Sequence, residues 1–121
     1  MSSKILVVDD EPNISKAIKY ILEKEGYEVI DAASGAEALI KIKQFKPALV
    51  LLDMMMPGLS GLETLKCIKA LFKDVSVVMV TAVRDEKDAQ ETLTAGAYDY
   101  ITKPIDVGYL KLSVFSKMAL L

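Results

Sequence analysis

Near-continuous apolar runs recur along the chain at residues 4–8, 29–32, 48–52, 75–80 and 97–101. The first, third and fourth are almost wholly Ile, Leu and Val, the pattern of strands covered by helices on both faces. Helical periodicity fills the intervals. Ile14, Ala17, Ile18, Ile21 and Leu22 share a helical face that stops near Gly26. Ala36, Leu39 and Ile40 predict a second helix closed before Pro47, and Leu62, Leu65, Ile68 and Phe72 predict a third. A fourth, over residues 85–95, is thinly apolar, its inner side being little more than Ala89 and Leu93. Asp106 is placed to cap a fifth helix carrying Leu110, Val114 and Met118 on one side. Gly108 weakens the first turn of that helix by about 1 kcal/mol.

Strands alternating with helices predict an α/β domain. Right-handed crossovers then favour an open parallel sheet with helices on both faces, a three-layer sandwich. Five strands are too few for an eight-stranded barrel. In open sheets of this kind ligands bind beyond the carboxyl ends of the strands, so candidate chemistry belongs there.

Composition narrows the field. A length of 121 residues suits one domain, 1–121. Lys and Arg total 15 against 17 acids and are scattered rather than gathered in a stripe, which argues against direct nucleic-acid binding by this chain. Histidine is absent, which removes His-based acid–base catalysis and His-ligated zinc or iron sites. The one cysteine, Cys67, lies in an apolar helical stretch and reads as a core or semi-buried thiol. No apolar run approaches the ~20 residues that span a bilayer. The expectation is a reducing, cytoplasmic setting away from membranes.

The strand ends concentrate reactive groups. The first strand ends in Asp9-Asp10-Glu11, the third in Asp53, the fourth in Thr81 and the fifth in Thr102-Lys103-Pro104. If strands one and three are neighbours, Asp9, Asp10 and Asp53 share a small volume and repel unless a cation neutralises them. Hard oxygen ligands without His or Cys point to Mg²⁺ or Mn²⁺. Asp10 is the choice for a direct ligand, with Asp9 acting through water and the Met55 main-chain carbonyl adding an oxygen. Asp53, after the most apolar segment, is the natural covalent acceptor, since a carboxylate can attack phosphorus once a cation offsets its charge. Lys103 and Thr81 suit phosphoryl oxygens, and Ala82 is small enough to leave the acceptor approachable. Each residue also has an ordinary reading: an Asp after a strand is usually a turn or cap residue. Their coincidence at one sheet edge carries the functional reading. Tyr98 and Tyr100, two apart on the last strand, should share a face. The Lys103–Pro104 bond can be cis or trans.

The stretches KILVVDDEP (4–12), LLDMMMPGLSG (51–61), VTA (80–82) and GAYDYITKP (96–104), in this order over nearly the whole chain, resemble the receiver domain of bacterial two-component response regulators, the chemotaxis regulator among them. The resemblance implies a flavodoxin-like (βα)5 fold with strand order 2-1-3-4-5. It implies that Asp53 accepts a phosphoryl group from a sensor histidine kinase or a histidine phosphotransfer protein, with Asp9, Asp10, Asp53 and Met55 serving Mg²⁺. Thr81 and Lys103 would contact the phosphoryl oxygens, Pro104 would follow a cis bond, and Thr81 and Tyr100 would form the switch. Inward rotation of Tyr100 would remodel the surface of helix four, strand five and helix five. The histidine-bearing partner would dock around Ile14 and Ala17, beside Pro57 and Pro104. Such a domain catalyses its own phosphorylation and slow dephosphorylation without being a conventional turnover enzyme. It signals to a downstream protein or a fused output domain, in some cases as a phosphorylation-dependent dimer.

Two features depart from some relatives. Met55 and Val83 are apolar where polar side chains help align a hydrolytic water, so self-dephosphorylation should not be fast. Residues 105–108, Ile-Asp-Val-Gly, lack a proline common at the start of the fifth helix. Other readings fit less well. An aspartyl-phosphate hydrolase commonly has a second acid at position 55, where Met stands. A flavin carrier wants glycines and hydroxyls where Asp9-Asp10-Glu11 lies. A non-phosphorylatable interaction module would not need every site residue.

Overall fold

The computed structural model describes residues 3–119. Five strands alternate with five helices: β1 Lys4–Val8, α1 Pro12–Lys24, β2 Glu28–Ala32, α2 Gly35–Phe45, β3 Leu49–Leu52, α3 Gly61–Leu71, β4 Ser76–Thr81, α4 Glu86–Thr94, β5 Asp99–Thr102 and α5 Val107–Ala119. All strand pairs are parallel, in the order β2-β1-β3-β4-β5. This is the flavodoxin-like arrangement.

Alternation along each strand builds two cores. Ile5, Val7, Leu49, Leu51, Val78 and Val80 pack with Ile18 and Leu22 of α1 and with Leu110 and Val114 of α5. Leu6, Val8, Val50, Leu52, Val77 and Met79 pack on the other side with Ala38 and Ile42 of α2 and with Leu65 and Ile68 of α3. Both faces of β1, β3 and β4 are therefore dry, which is why those runs are apolar almost without interruption. Burying one such aliphatic side chain contributes roughly 1.5–3 kcal/mol, so the central strands make a rigid floor for their carboxyl ends.

Local chemistry fixes the helix limits. Pro12 opens α1 at a position whose N–H has no helical partner. Ser60 and Glu63 form a reciprocal capping box at α3. Lys46 takes the left-handed conformation that ends α2 just before Pro47. The Asp106 carboxylate accepts the Tyr109 N–H at 3.0 Å, capping α5 as its sequence predicts.

The expected inner side of α4 is corrected. Leu93 is 41% exposed, and the residue buried on this helix is Thr92. The Thr92 hydroxyl donates to the Ala89 carbonyl at 2.8 Å, so its burial leaves no unpaired polar group. Strand five also starts later than its apolar run. The Ala97 N–H is spent on the Thr92 carbonyl at the end of α4, so the first bond to β4 is that of the Tyr98 N–H to the Val77 carbonyl at 2.7 Å, and the paired register runs from Asp99. Tyr98 consequently precedes the strand and packs toward α5, with the Lys117 ammonium 4.8 Å from its ring centre. Tyr100 instead packs on the α2–α3 side, so the two tyrosines do not share a face. No helix among the described residues is long and apolar enough to cross a membrane.

Candidate functional site

Three of the reactive residues sit one position past their strands or at the last position, each held by one more sheet-like hydrogen bond. The Asp9 N–H donates to Ala32 of β2 at 3.1 Å, the Asp53 N–H to Val8 of β1 at 3.0 Å, and the Lys103 N–H to Thr81 of β4 at 2.8 Å. The rigid sheet thus sets where these backbones stop.

The side chains then turn the chain away from the sheet. Asp9 Oδ1 accepts the Glu11 N–H at 2.9 Å, Asp53 Oδ1 accepts the Met55 N–H at 3.3 Å, and Thr81 Oγ1 accepts the Val83 N–H at 3.3 Å. Each is a side chain bonding the amide two residues on, the motif that makes Asp and Thr common after strands. The turn reading and the functional reading therefore hold together. One carboxylate oxygen makes the turn, and the other faces the site.

Those second oxygens meet Lys103. Its ammonium lies 2.8 Å from Asp9 Oδ2, 3.4 Å from Asp53 Oδ2 and 3.6 Å from Glu11 Oε1. Asp9 and Asp53 are buried, whereas Asp10 and Glu11 are exposed. Carboxylate oxygens of Asp9, Asp10 and Asp53 all lie within 4.8 Å of one another. At that spacing each like-charge pair costs about 3 kcal/mol for an effective dielectric of about 20. Burial pushes the Asp9 carboxyl above its ordinary value, more than the Lys103 hydrogen bond lowers it. Burial alone would lower Lys103, but Asp9 and Asp53 outweigh it and hold the ammonium above its ordinary value. Lysine therefore stays charged.

Three aspartates and Glu11 outnumber the one lysine, so the edge favours a bound cation. The donors are hard oxygens without His or Cys, so the residues fit Mg²⁺ or Mn²⁺. The hydrogen bond from the Met55 N–H places that residue's backbone beside the Asp53 carboxylate.

Thr81 is fully buried and shares one bonded residue with Tyr100: Val83 donates its N–H to Thr81 and its carbonyl accepts the Tyr100 hydroxyl at 2.7 Å. Burial and the charges of Asp88, Asp53 and Asp85 raise the Tyr100 phenol above its ordinary value, keeping it a donor. Ala82 is exposed at the mouth, and the Lys103–Pro104 bond is cis. Every residue proposed from sequence is thus at this edge except Tyr100, which reaches it through Val83. Two further groups make contacts for which the sequence suggested no role. Glu11 adds a carboxylate to the Lys103 cluster, and Arg84 donates to the Lys103 carbonyl at 2.6 Å. Glu11 was visible next to Asp10, whereas nothing in a lone exposed Arg signals its partner.

A doubly covered parallel sheet with an acidic triad and one lysine at its carboxyl edge defines a phosphoacceptor signalling domain. The match to the response regulator receiver domain covers residues 5–115, and the chain belongs to that family. It is 45% identical over 104 residues to the alkaline phosphatase synthesis transcriptional regulatory protein PhoP of Bacillus subtilis, covering 86% of this chain and 43% of that protein. Sporulation initiation phosphotransferase F of the same organism is 37% identical over 114 residues, covering 94% of this chain and 92% of that protein. The chain thus spans less than half of the first relative and nearly all of the second. Among solved structures, the CheX-CheY-BeF3-Mg²⁺ complex from Borrelia burgdorferi aligns with a TM-score of 0.90 and 34% identity, over 95% of this chain and 88% of that one.

Proposed function

We propose that Asp53 carries the phosphoryl group and that the chain relays it between a histidine kinase or histidine phosphotransfer protein and a downstream partner. The observation that carries this reading is the convergence of Asp9, Asp10 and Asp53 around the Lys103 ammonium. An Asp53 carboxylate oxygen forms the new bond to phosphorus as the phosphorus–nitrogen bond of the donor breaks, and the departing imidazole takes up a proton. Asp9, Asp10, Asp53 and the Met55 carbonyl would hold Mg²⁺, which supplies charge neutralisation when bound. Lys103 holds its positive charge toward the phosphoryl oxygens. Thr81 exchanges its bond with the Val83 N–H for one to a phosphoryl oxygen. That change reaches Tyr100 through Val83, whose carbonyl accepts the Tyr100 hydroxyl.

The donor's histidine-bearing helix fits the apolar hollow lined by Ile14, Ala17, Ile18, Ile21, Pro104 and Ile105, which Lys103 also borders. The relatives support both a stand-alone regulator and a receiver joined to an output domain, and this reading covers residues 1–121 as one receiver unit in the cytoplasm. Incubation with Mg²⁺ and acetyl phosphate should add one phosphoryl mass to the wild type and none to Asp53→Ala. Equal labelling of that variant would refute the assignment.

A further inference from the structure

We infer that Arg84 is a positioning residue for Lys103, an inference that rests on the phosphoacceptor reading above. Lys103 is held at both ends of its backbone. Its N–H donates to the Thr81 carbonyl at 2.8 Å, and its carbonyl accepts Arg84 Nη2 at 2.6 Å. The first bond is a rung of the sheet. The second comes from the loop that follows β4, and it is made just where β5 ends and the chain leaves for α5.

The same short loop is bonded twice more. The Val83 N–H is held by Thr81 Oγ1, and the Val83 carbonyl by the Tyr100 hydroxyl. Arg84 therefore closes a ring in which residues 81, 83, 84, 100 and 103 fix one another. A short charge-assisted bond to a neutral carbonyl is among the stronger hydrogen bonds available to an exposed side chain. Removing it frees the Lys103 carbonyl end, and the ammonium loses its fixed place between Asp9 and Asp53. Arg84 does not touch the reacting atoms; it acts through Lys103.

Arg84 is exposed, so its removal leaves the core intact and the fold serves as its own control. The experiment follows phosphorylation by acetyl phosphate at saturating Mg²⁺, with donor concentration varied, for wild type, Arg84→Ala, Arg84→Lys and Asp53→Ala. Arg84→Ala should lower the rate at saturating donor by about two- to tenfold, the value of one such bond, while the half-saturating donor concentration stays unchanged. Arg84→Lys, which keeps a donor of nearly the same reach, should recover part of the rate. Unfolding in urea should shift by no more than about 1 kcal/mol, the value of that one bond, for either variant. A wild-type rate for Arg84→Ala overturns the inference. So does a loss confined to the half-saturating concentration that fades with added salt, because Arg84 then only attracts the anionic donor. Absence of labelling in the wild type would instead refute the phosphoacceptor reading itself.

Discussion

The sharpest steric test of the site lies at Gly61, the first residue of α3. A Cβ built there would sit 2.2 Å from the Asp53 carbonyl oxygen and 2.5 Å from Met54 Cα. Both neighbours are backbone, so no side chain can swing aside. The start of α3 is also tied to that backbone, because the Gly61 N–H donates to the Met54 carbonyl at 2.9 Å. In Gly61→Ala either α3 or the Asp53–Met54 segment must move. Overpacking costs about 1–3 kcal/mol, and weakening the tie adds about 1 kcal/mol. The lower entropy of the unfolded alanine chain returns about 0.4–1 kcal/mol. The net is a loss of roughly 2 kcal/mol, or a fall in Tm of about 8 °C for a domain of this size. Displacement of Asp53 should also slow phosphorylation. Gly108→Ala is the matched control, since its Cβ meets only an Asp106 carboxylate oxygen at 3.3 Å in an exposed first turn. That variant should change stability by less than about 1 kcal/mol, the helix-propensity gain being offset by the room the capping Asp106 oxygen must give. Urea unfolding of the two variants beside wild type decides the matter. If Gly61→Ala unfolds at the wild-type midpoint with an unchanged slope, the close approach of α3 to the acceptor strand is not a rigid constraint.

Three further outcomes are expected. Mg²⁺ at about a hundredfold its Kd should stabilise the wild type by about 2.7 kcal/mol relative to NaCl of equal ionic strength; Asp10→Asn should lose most of that gain, and equal stabilisation of both would contradict the metal site. Met55→Asn and Val83→Glu should each shorten the phosphoryl lifetime by about two- to tenfold, the effect of one added hydrogen bond to water. Met55 is 67% exposed and Val83 uses only its backbone in the loop, so both changes spare the fold; decay no faster than wild type in either variant would sink the idea. The Tyr109 hydroxyl donates to Asp99 at 2.8 Å, and this bond holds the phenol above its ordinary value of 10.0. Because the folded value is raised, the stabilisation is full below pH 10.0 and is lost as pH rises through the folded value. The stability difference between wild type and Tyr109→Phe should therefore shrink in that alkaline range, and a pH-independent difference would contradict it.

How far the sequence could be read depended on where burial and hydrogen bonding coincide. Strands β1, β3 and β4 are dry on both faces, so hydropathy alone located them, and their ends located Asp9, Asp53 and Thr81. Where polar groups satisfy each other, hydropathy misleads. Thr92 is buried on α4 because its hydroxyl finds the Ala89 carbonyl, and Leu93 beside it faces solvent. Ala97 belongs to an apolar run, yet its N–H ends a helix rather than starting a strand. Tyr98 was misplaced for the same reason, since period-two alternation applies only inside a strand. Arg84 shows the opposite limit. Its carbonyl partner is 19 residues away, and side chain to backbone bonds of that kind leave no trace in residue types.

The double use of Asp9, Asp53 and Thr81 explains why a change at the acceptor has only one direction in which to travel. Toward the sheet, each backbone is locked into a ladder whose side chains are buried on both faces, and such packing does not deform by small degrees. Toward solvent, Asp53 and Asp9 bond only their own turns and Lys103. Thr81 differs, because the N–H it holds is that of Val83, whose carbonyl is held by Tyr100. On the proposed reading, turning the Thr81 hydroxyl toward a phosphoryl oxygen releases Val83, and the elements next in line are weakly held. α4 buries Thr92 alone, and β5 is an edge strand paired only with β4. Within the switch surface, α4 and β5 are therefore where the fold resists least, while α5 is anchored in the core by Leu110 and Val114. A phosphoryl group worth about −1.5 to −2 charges acts on a loop held by a few hydrogen bonds of about 1 kcal/mol each, not on the core.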